Sequence, residues 1–213
     1  MKKFASLLLA TLLLSVFLYA VESEPSAIVG YVVYQCQTGE SANNNFVALP
    51  MDMGFSDSIE FGEAYQDDID VISNWLAASQ AWESTLYDGD IWTGEIFDVK
   101  VNSAYMISIY DAKPFYCVGP LPEAPVYDLV FGATASNNFI MIPLDRTDLE
   151  KASELGGDIS DVSAVNAWSA PYQSWMSIFY DEVEEAWTGD DFSVSVAMPL
   201  MISITKEKEW PNN

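Results

Sequence analysis

The sequence predicts a mainly β fold with one short helix per repeat, an α+β arrangement of two tandem homologous β-rich modules. One reason is an internal repeat: residues 44–88 and 137–181, which lie 93 positions apart, are identical at 13 of 45 positions. A period of this length indicates two copies of one folding unit. The other reason is that short runs of alternating apolar and polar residues, typical of strands with one solvated face, recur at matching places in both copies.

The repeat and the proline content together predict the domain boundaries. The first β-rich repeat covers residues 28–119 and the second covers residues 126–213, and each opens with a run of β-branched and aromatic residues that is typical of a strand. Between them, residues 120–125 contain three prolines and form a short, fairly stiff linker.

A buried strand and then a helix are expected next in each repeat. Phe46–Leu49 and Phe139–Ile142 are continuous apolar runs followed by proline, which predicts strands that are buried on both faces. The expected helix caps are Ser56 or Asp57 in the first repeat and Thr147 or Asp148 in the second, where Gly156-Gly157 ends the helix. Gly62 interrupts the helix of the first repeat, so its pattern is less regular.

The remaining elements of each repeat are predicted to be strands. Alternation of apolar and polar residues over a few positions is the signal for each of them. The first repeat closes with a strand at Phe115–Val118, whereas its counterpart begins at Trp210 and stops at Asn213. The other expected strands end at Trp75 and Trp168, begin near Trp82 and Gln173, and cover 97–102, 105–109, 192–197 and 200–204.

Residues 1–23 are predicted to be a secretory signal peptide. Two lysines follow Met1, and the run from Phe4 to Ala20 carries no charge and ends in small residues. The alternative is an uncleaved membrane anchor, because the run is only slightly shorter than a membrane span. No later segment is apolar enough to span a membrane, so we expect a secreted, periplasmic or cell-surface protein.

The strongly acidic composition excludes some partners. A formal net charge of −24 with only 8 basic residues opposes binding to nucleic acid, which needs cations against phosphates, and to anionic lipid surfaces. Half of the residues are apolar, so the chain has enough material for a core. The expected partners are an envelope or extracellular protein, a glycan, or a second copy of this chain.

The two cysteines, Cys36 and Cys117, are candidates for a disulfide. An even number of cysteines in an exported chain favours a bridge, which would stabilise the fold by about 4 kcal/mol in the chain-entropy model. The alternative is a pair of buried free thiols. The second repeat contains no cysteine, so a bridge would be particular to the first.

Several motifs of the second repeat resemble a tandem module of exported proteins from environmental bacteria. The motifs are Asn-Asn-Phe-Ile-Met-Ile-Pro-Leu-Asp at 137–145, Ala-Ser-Glu-Leu-Gly-Gly at 152–157, and the Trp…Gln-Ser-Trp pattern within 165–175. The resemblance covers nearly all of the chain after the signal peptide. It implies export and a type of module, without implying a reaction. The first repeat departs from the pattern at Phe55–Tyr65.

The side chains of common catalytic sites are largely missing. Histidine is absent, which excludes Ser-His-Asp and Cys-His catalysis, and Arg146 is the only arginine. Carboxylates remain, and a pair of them can hydrolyse glycosidic bonds. A carboxylate-dependent polysaccharide hydrolase is therefore one alternative function, although 32 acidic residues produce apparent pairs by chance.

Acidic loops suggest calcium as the candidate metal, and no other cofactor is expected. Calcium takes six to eight oxygen ligands from carboxylates and carbonyls. The alternative is that these loops are simply solvated, because none of them matches the twelve-residue EF-hand pattern. The candidate ligands are Asp88, Asp90, Asp181, Asp190 and Asp191.

Trp92 and Trp187 are the candidate ligand-binding residues, together with Tyr87 and Tyr180. Each tryptophan follows a Tyr-Asp pair and an acidic loop and precedes Thr-Gly, and loops on a rigid scaffold often carry binding residues. An exposed aromatic ring can stack on a sugar. The alternative is that rings present at the same place in both repeats belong to the core.

These observations favour a non-catalytic, exported two-repeat protein of the cell envelope or extracellular space, with a binding or structural role. The polysaccharide hydrolase is the enzyme alternative. The third hypothesis is a surface subunit that self-assembles by strand exchange, because the unfinished second repeat lacks a closing strand and could accept one from a neighbour.

Overall fold

The protein is mainly β, as the sequence predicts. A computed structural model describes residues 29–132 and 136–211, which form fourteen strands and two short helices. In the first half (29–119) these are β1 Val29–Gln35, β2 Asn44–Ala48, α1 Ser58–Ala64, β3 Ile69–Leu76, β4 Ala81–Tyr87, β5 Trp92–Gly94, β6 Ala104–Ile109 and β7 Pro114–Pro120. In the second half (126–211) they are β8 Tyr127–Leu129, β9 Asn137–Met141, α2 Ala152–Ile159, β10 Val162–Ser169, β11 Ser174–Asp181, β12 Ala186–Thr188, β13 Pro199–Ile204 and β14 Lys208–Trp210.

Each half contains one antiparallel five-stranded sheet and one two-stranded ribbon. The sheet orders are β2-β6-β3-β4-β5 and β9-β13-β10-β11-β12, and the ribbons are β1-β7 and β8-β14. The register of the first strand pair is also the same in both halves, since Asn44 lies opposite Ser108 and Asn137 lies opposite Ser203. A bulge interrupts the third strand of each sheet, at 69–71 and at 162–164.

The segments 97–102 and 192–197 are not strands, contrary to the sequence prediction. Each makes one isolated bridge to the residue before a helix, Asp57 with Asp98 and Lys151 with Ser193, and then ends in a turn. Their backbone carbonyls accept hydrogen bonds from the start of the helix, as Phe97 does from Ser58 and Phe192 from Ala152. Alternation of apolar and polar residues therefore indicates here a segment with one buried side that is not part of a sheet.

The helix boundaries agree with the prediction in the first half and differ in the second. Asp57 caps α1 and accepts hydrogen bonds from the backbone N–H groups of Ile59 and Glu60. By contrast, α2 begins only after Lys151 and runs through Gly156-Gly157 to Ile159. Gly156 lies inside α2, and its missing side chain leaves room for an indole, as described below.

Most apolar side chains form one core between sheet, helix and ribbon in each half. Fully buried residues of the sheets, such as Ile72 and Ile107 in the first half and Val165 and Ile202 in the second, face these cores. Phe61 of α1 and Leu155 of α2 are also fully buried. Burial of each such side chain stabilises the fold by about 1.5–3 kcal/mol.

A third apolar cluster joins the two halves. Phe46 lies 4.6 Å from Phe139 and 5.5 Å from Trp175, measured between ring centroids, and both contacts are edge-on. Phe139 in turn stacks on Trp75 at 5.8 Å. Edge-on and offset-stacked rings are the favourable geometries for aromatic pairs. Trp75 and Trp175 therefore pack between the halves.

Reciprocal tryptophan hydrogen bonds cross the same interface. Trp75 of the first half donates its indole N–H to the carbonyl of Asn137 in the second, at 2.8 Å. Trp168 of the second half donates to the carbonyl of Asn44 in the first, also at 2.8 Å. Each half thus binds the other through the same atoms, as the subunits of a twofold-symmetric dimer do.

Two glutamines complete this reciprocal contact. Gln80 forms both a donor and an acceptor bond with the backbone of Asn137, at 3.0 and 2.9 Å. Gln173 forms the same two bonds with Asn44, both at 3.0 Å. A side-chain amide that satisfies an N–H and a C=O together replaces one step of a strand ladder.

Cys36 and Cys117 are free thiols, so the predicted disulfide is wrong for this structure. The ribbon geometry gives the reason. The backbone N–H of Cys36 donates to the carbonyl of Lys113, whereas Cys117 lies four residues further along the same strand, opposite Val32. Four residues of strand span about 13 Å, and a disulfide requires Cα atoms within about 7 Å.

The predicted signal peptide lies outside the described residues. Among the residues that are described, no helix has the length and apolar character needed to cross a membrane. The closing strand predicted to begin at Trp210 instead begins at Lys208 and ends at Trp210 as β14, and it pairs with β8 of the same chain.

Acid should destabilise the second half through Asp158. Its carboxylate accepts hydrogen bonds from Arg146 and from the Trp210 indole, at 2.8 and 2.7 Å, and these contacts hold the pKa of Asp158 below its usual value. A depressed folded-state pKa contributes stability above the unfolded pKa of about 4, and this contribution is lost as the pH falls through the folded value.

We therefore expect Asp158→Asn to be less stable than wild type at pH 7 and to approach wild-type stability as the pH falls below the unfolded pKa of about 4 and through the lower folded value. Urea denaturation at several pH values measures this difference. A stability gap that does not change with pH would contradict the assignment.

Candidate functional site

A cavity of about 360 Å³ lies beside Trp187 in the second half. It opens between α2 and the outer strands of the sheet, and we call it the Trp187 cavity. Its polar lining comes from Ser160, Asp161, Ser163, Glu182 and Thr205, and its other lining comes from Gly156, Gly157, Val162, Tyr180 and Trp187. An aromatic wall facing several hydroxyl and carboxylate groups is typical of a small-ligand site.

Strand pairing and a helical glycine together position Trp187. Its strand, β12, pairs with β11 so that Trp187 lies opposite Tyr180, with the two ring centroids 5.4 Å apart. On its other side the indole packs so closely on α2 that a Cβ at Gly156 would lie 2.1 Å from it. The ring is thus held between Tyr180 and the helix, while its remaining surface faces the cavity.

A strained turn between α2 and β10 forms the polar side of the cavity. Ser160 and Asp161 both have positive φ, 59° and 50°, a conformation that costs about 1–3 kcal/mol for each non-glycine residue. The turn is held by Thr205, whose backbone N–H donates to the Asp161 carbonyl at 2.7 Å, and by Lys208, 3.2 Å from the Asp161 carboxylate. The corresponding residues of the first half, Asp67 and Asp68, have no positive φ. Such strain commonly marks functional sites.

In the first half the predicted pair Tyr87 and Trp92 also comes together, with ring centroids 5.4 Å apart. Trp92, however, is only 8% exposed. Its indole N–H and one carboxylate oxygen of Asp70 are buried without a hydrogen-bond partner among the described residues. The first-half ring is therefore covered, whereas Tyr180 is 38% exposed and Trp187 lines an open cavity.

Two positions beside the ring carry smaller residues in the second half than in the first. Ser163 lies at the bulge of β10, where the first half has the larger Asp70 at the bulge of β3. Thr205 donates its backbone N–H to Asp161, and Tyr110 makes the same bond to Asp68. Sequence reasoning missed Ser163 and Thr205. The signal that could have found them is a small residue in one repeat where the other repeat has a large one.

The predicted calcium ligands serve mainly as turn and cap residues. Asp88 accepts hydrogen bonds from the backbone N–H groups of Ile91 and Asp90, which lower the pKa of Asp88. Asp181 accepts in the same way within its own loop. Asp191 accepts from the backbone and hydroxyl of Ser153, at 3.0 and 2.7 Å, in the first turn of α2.

Asp90 and Asp190 are exposed. Within 29–132 and 136–211, no three acidic or cysteine side chains converge closely enough to hold a metal ion. Calcium binding therefore stays a prediction without a preformed site to support it.

Comparison with models of known protein families finds no match, and neither the curated proteins nor the solved structures contain one. The function must therefore be inferred from the chemistry of this chain. Its best-defined site is the Trp187 cavity, because the first half shows the same scaffold with that site closed.

Proposed function

We propose that this chain is an exported, non-catalytic protein of two homologous β-rich repeats that binds a glycan through the Trp187 cavity. The predicted signal peptide supports export. The equal strand order, register and bulge position of the two halves support a duplication of one module. The single observation that carries the binding role is that Trp187 lies in an open cavity while its counterpart Trp92 is covered.

The chemistry of the lining suits a sugar. A pyranose ring has an apolar face of C–H groups that packs on an indole, and its hydroxyls need hydrogen-bond donors and acceptors at the edges. Trp187 supplies the apolar surface, while Ser163, Glu182 and Thr205 supply hydroxyl and carboxylate groups. A volume of about 360 Å³ is at the small end of ligand pockets, which favours one or two sugar units.

The test is to screen the chain without residues 1–23 against a glycan array and to measure affinity for the best glycan by calorimetry. Thr205→Tyr introduces the larger side chain found at the corresponding place in the first half, and we expect it to weaken binding at least tenfold, or about 1.4 kcal/mol. The matched control is Tyr110→Thr, which should leave the affinity unchanged. A bound glycan whose affinity is insensitive to Thr205→Tyr would show that this cavity is not the site.

A polysaccharide hydrolase is the second candidate, because the carboxylates of Asp161 and Glu182 line one cavity. Release of reducing ends, abolished by Asp161→Asn or Glu182→Gln, would favour it over simple binding. Assembly by strand exchange is less well supported, since the chain's own β14 already pairs with β8.

A further inference from the structure

A second cavity, of about 280 Å³, lies in the first half between the β1-β7 ribbon and the five-stranded sheet. Its walls are mainly apolar and come from Ile69, Ile107, Ile109 and Phe115, together with the thiol of Cys36. These five side chains are each at most 5% exposed. We call it the Cys36 cavity. It is separate from the Trp187 cavity, which lies in the other half.

Among the residues that line the Cys36 cavity, only two are charged, and both lie at its mouth. Lys113 and Asp68 line it there and form an ion pair with each other, with side chains 39% and 33% exposed. The second half has the corresponding pair, Lys208 with Asp161. Because the pair is present in both halves, it belongs to the common framework and leaves no unpaired charge for a ligand.

The second half has larger side chains at the places of Cys36 and Phe115. Phe115 lies opposite Tyr34 in one ribbon, and Trp210 lies opposite Tyr127 in the other. Cys36 and Leu129 each follow the tyrosine by two residues. Leu129 and Trp210 are 3% and 1% exposed, so the larger pair is packed where the first half has the smaller pair and a cavity.

Trp210 is fixed in this place by polar and aromatic contacts. Its indole donates to the Asp158 carboxylate at 2.7 Å, its ring stacks on Tyr127 at 6.0 Å, and the guanidinium of Arg146 lies 5.8 Å from the ring centroid. In the first half Tyr65, the residue that follows α1, donates its hydroxyl to the Tyr116 carbonyl. The residues around the smaller side chains of the first half therefore form different polar contacts from those around Trp210.

We propose that the Cys36 cavity binds a neutral alkyl chain of medium length. An apolar cavity of about 150 Å³ stays dry and can bind one benzene molecule, so this one has room for roughly ten carbon atoms. Branched aliphatic walls suit a flexible chain. The mouth residues Lys113 and Asp68 neutralise each other, and the net charge of −24 disfavours an anionic head group. A hydroxyl head group can bond to both members of the ion pair.

Calorimetry with 1-octanol tests this proposal on the purified chain. We expect saturable binding by wild type and at least a tenfold loss in Phe115→Trp, which introduces the residue found at this place in the second half. The matched control is Val118→Trp on the same strand, because Val118 is 50% exposed on the outer face and should bind as wild type does. Equal binding by all three proteins, or none by wild type, would overturn the proposal.

The thiol provides an independent readout. Cys117 does not line the cavity and is fully buried, so in a Cys117→Ala variant only Cys36 can react with a thiol reagent. Saturating 1-octanol should slow that reaction at least tenfold, and octanoate at the same concentration should slow it much less. An unchanged rate with 1-octanol would place the ligand elsewhere, and equal protection by octanoate would refute the neutral head group.

Discussion

Phe46→Ala should lower the free energy of unfolding by about 3–5 kcal/mol, the usual cost of removing a buried aromatic side chain. Phe46 is 8% exposed. It lies between the two sheets, where it contacts Phe139 and Trp175 with ring centroids 4.6 and 5.5 Å away. Alanine would leave a cavity that neither sheet can close alone, because the backbone of each sheet is fixed by its own ladder.

Urea denaturation followed by tryptophan fluorescence measures this effect. The matched control is Tyr116→Ala, which removes an aromatic ring that is 54% exposed on the outer face of β7 and should change stability by less than about 0.5 kcal/mol. A loss at Phe46 no larger than the loss at Tyr116 would show that the cluster between the halves does not stabilise the fold.

The reciprocal contacts explain why Trp75, Gln80 and their counterparts occur in both repeats. Each of these side chains hydrogen-bonds to the backbone of the opposite repeat, at Asn137 or Asn44. The sequence shows that such residues recur, but a bond to a backbone carbonyl leaves no mark on the identity of the partner. The recurrence of Trp75 and Trp168 therefore indicates a shared structural role, but it does not show that each ring contacts the other half.

The helices show a second limit of the sequence comparison. At a fixed spacing of 93, Gly62 is paired with Leu155. In the structure the residues that precede the helices are Asp57 and Lys151, 94 positions apart, and this spacing pairs Gly62 with Gly156. One additional residue before α2 hides the correspondence. The first repeat thus keeps the helical glycine, although its sequence departs from the pattern of the second.

The two proposed sites were only partly accessible to sequence analysis. Tyr180 and Trp187 could be predicted together from their short spacing in the sequence, because they lie on neighbouring strands that pair. The cavity beside the ring is also lined by Ser163 of β10 and by Thr205, which follows β13, and the spacing of Tyr180 and Trp187 carries no information about these two residues. The Cys36 cavity is likewise formed where a ribbon packs on a sheet, and its lining residues are distant in sequence.

Gly156→Ala and Gly157→Ala should change stability in opposite directions, although the two residues are neighbours in α2. A Cβ at Gly156 would lie 2.1 Å from the indole of Trp187, so the ring or the helix must move, at a cost of about 1–3 kcal/mol. A Cβ at Gly157 meets nothing within 4 Å. Alanine there should stabilise the helix by about 0.5–1 kcal/mol, because glycine loses more backbone entropy on folding.

The same substitutions link packing to the proposed site. Because Trp187 is held between Tyr180 and Gly156, Gly156→Ala should displace the ring that lines the cavity and weaken glycan binding, with a shift in tryptophan emission. Gly62→Ala is the matched control, since its Cβ would lie 2.5 Å from the indole of Trp92, far from the cavity. It should cost similar stability and leave glycan affinity unchanged. Equal loss of affinity in both variants would mean that binding follows global stability and not the position of Trp187.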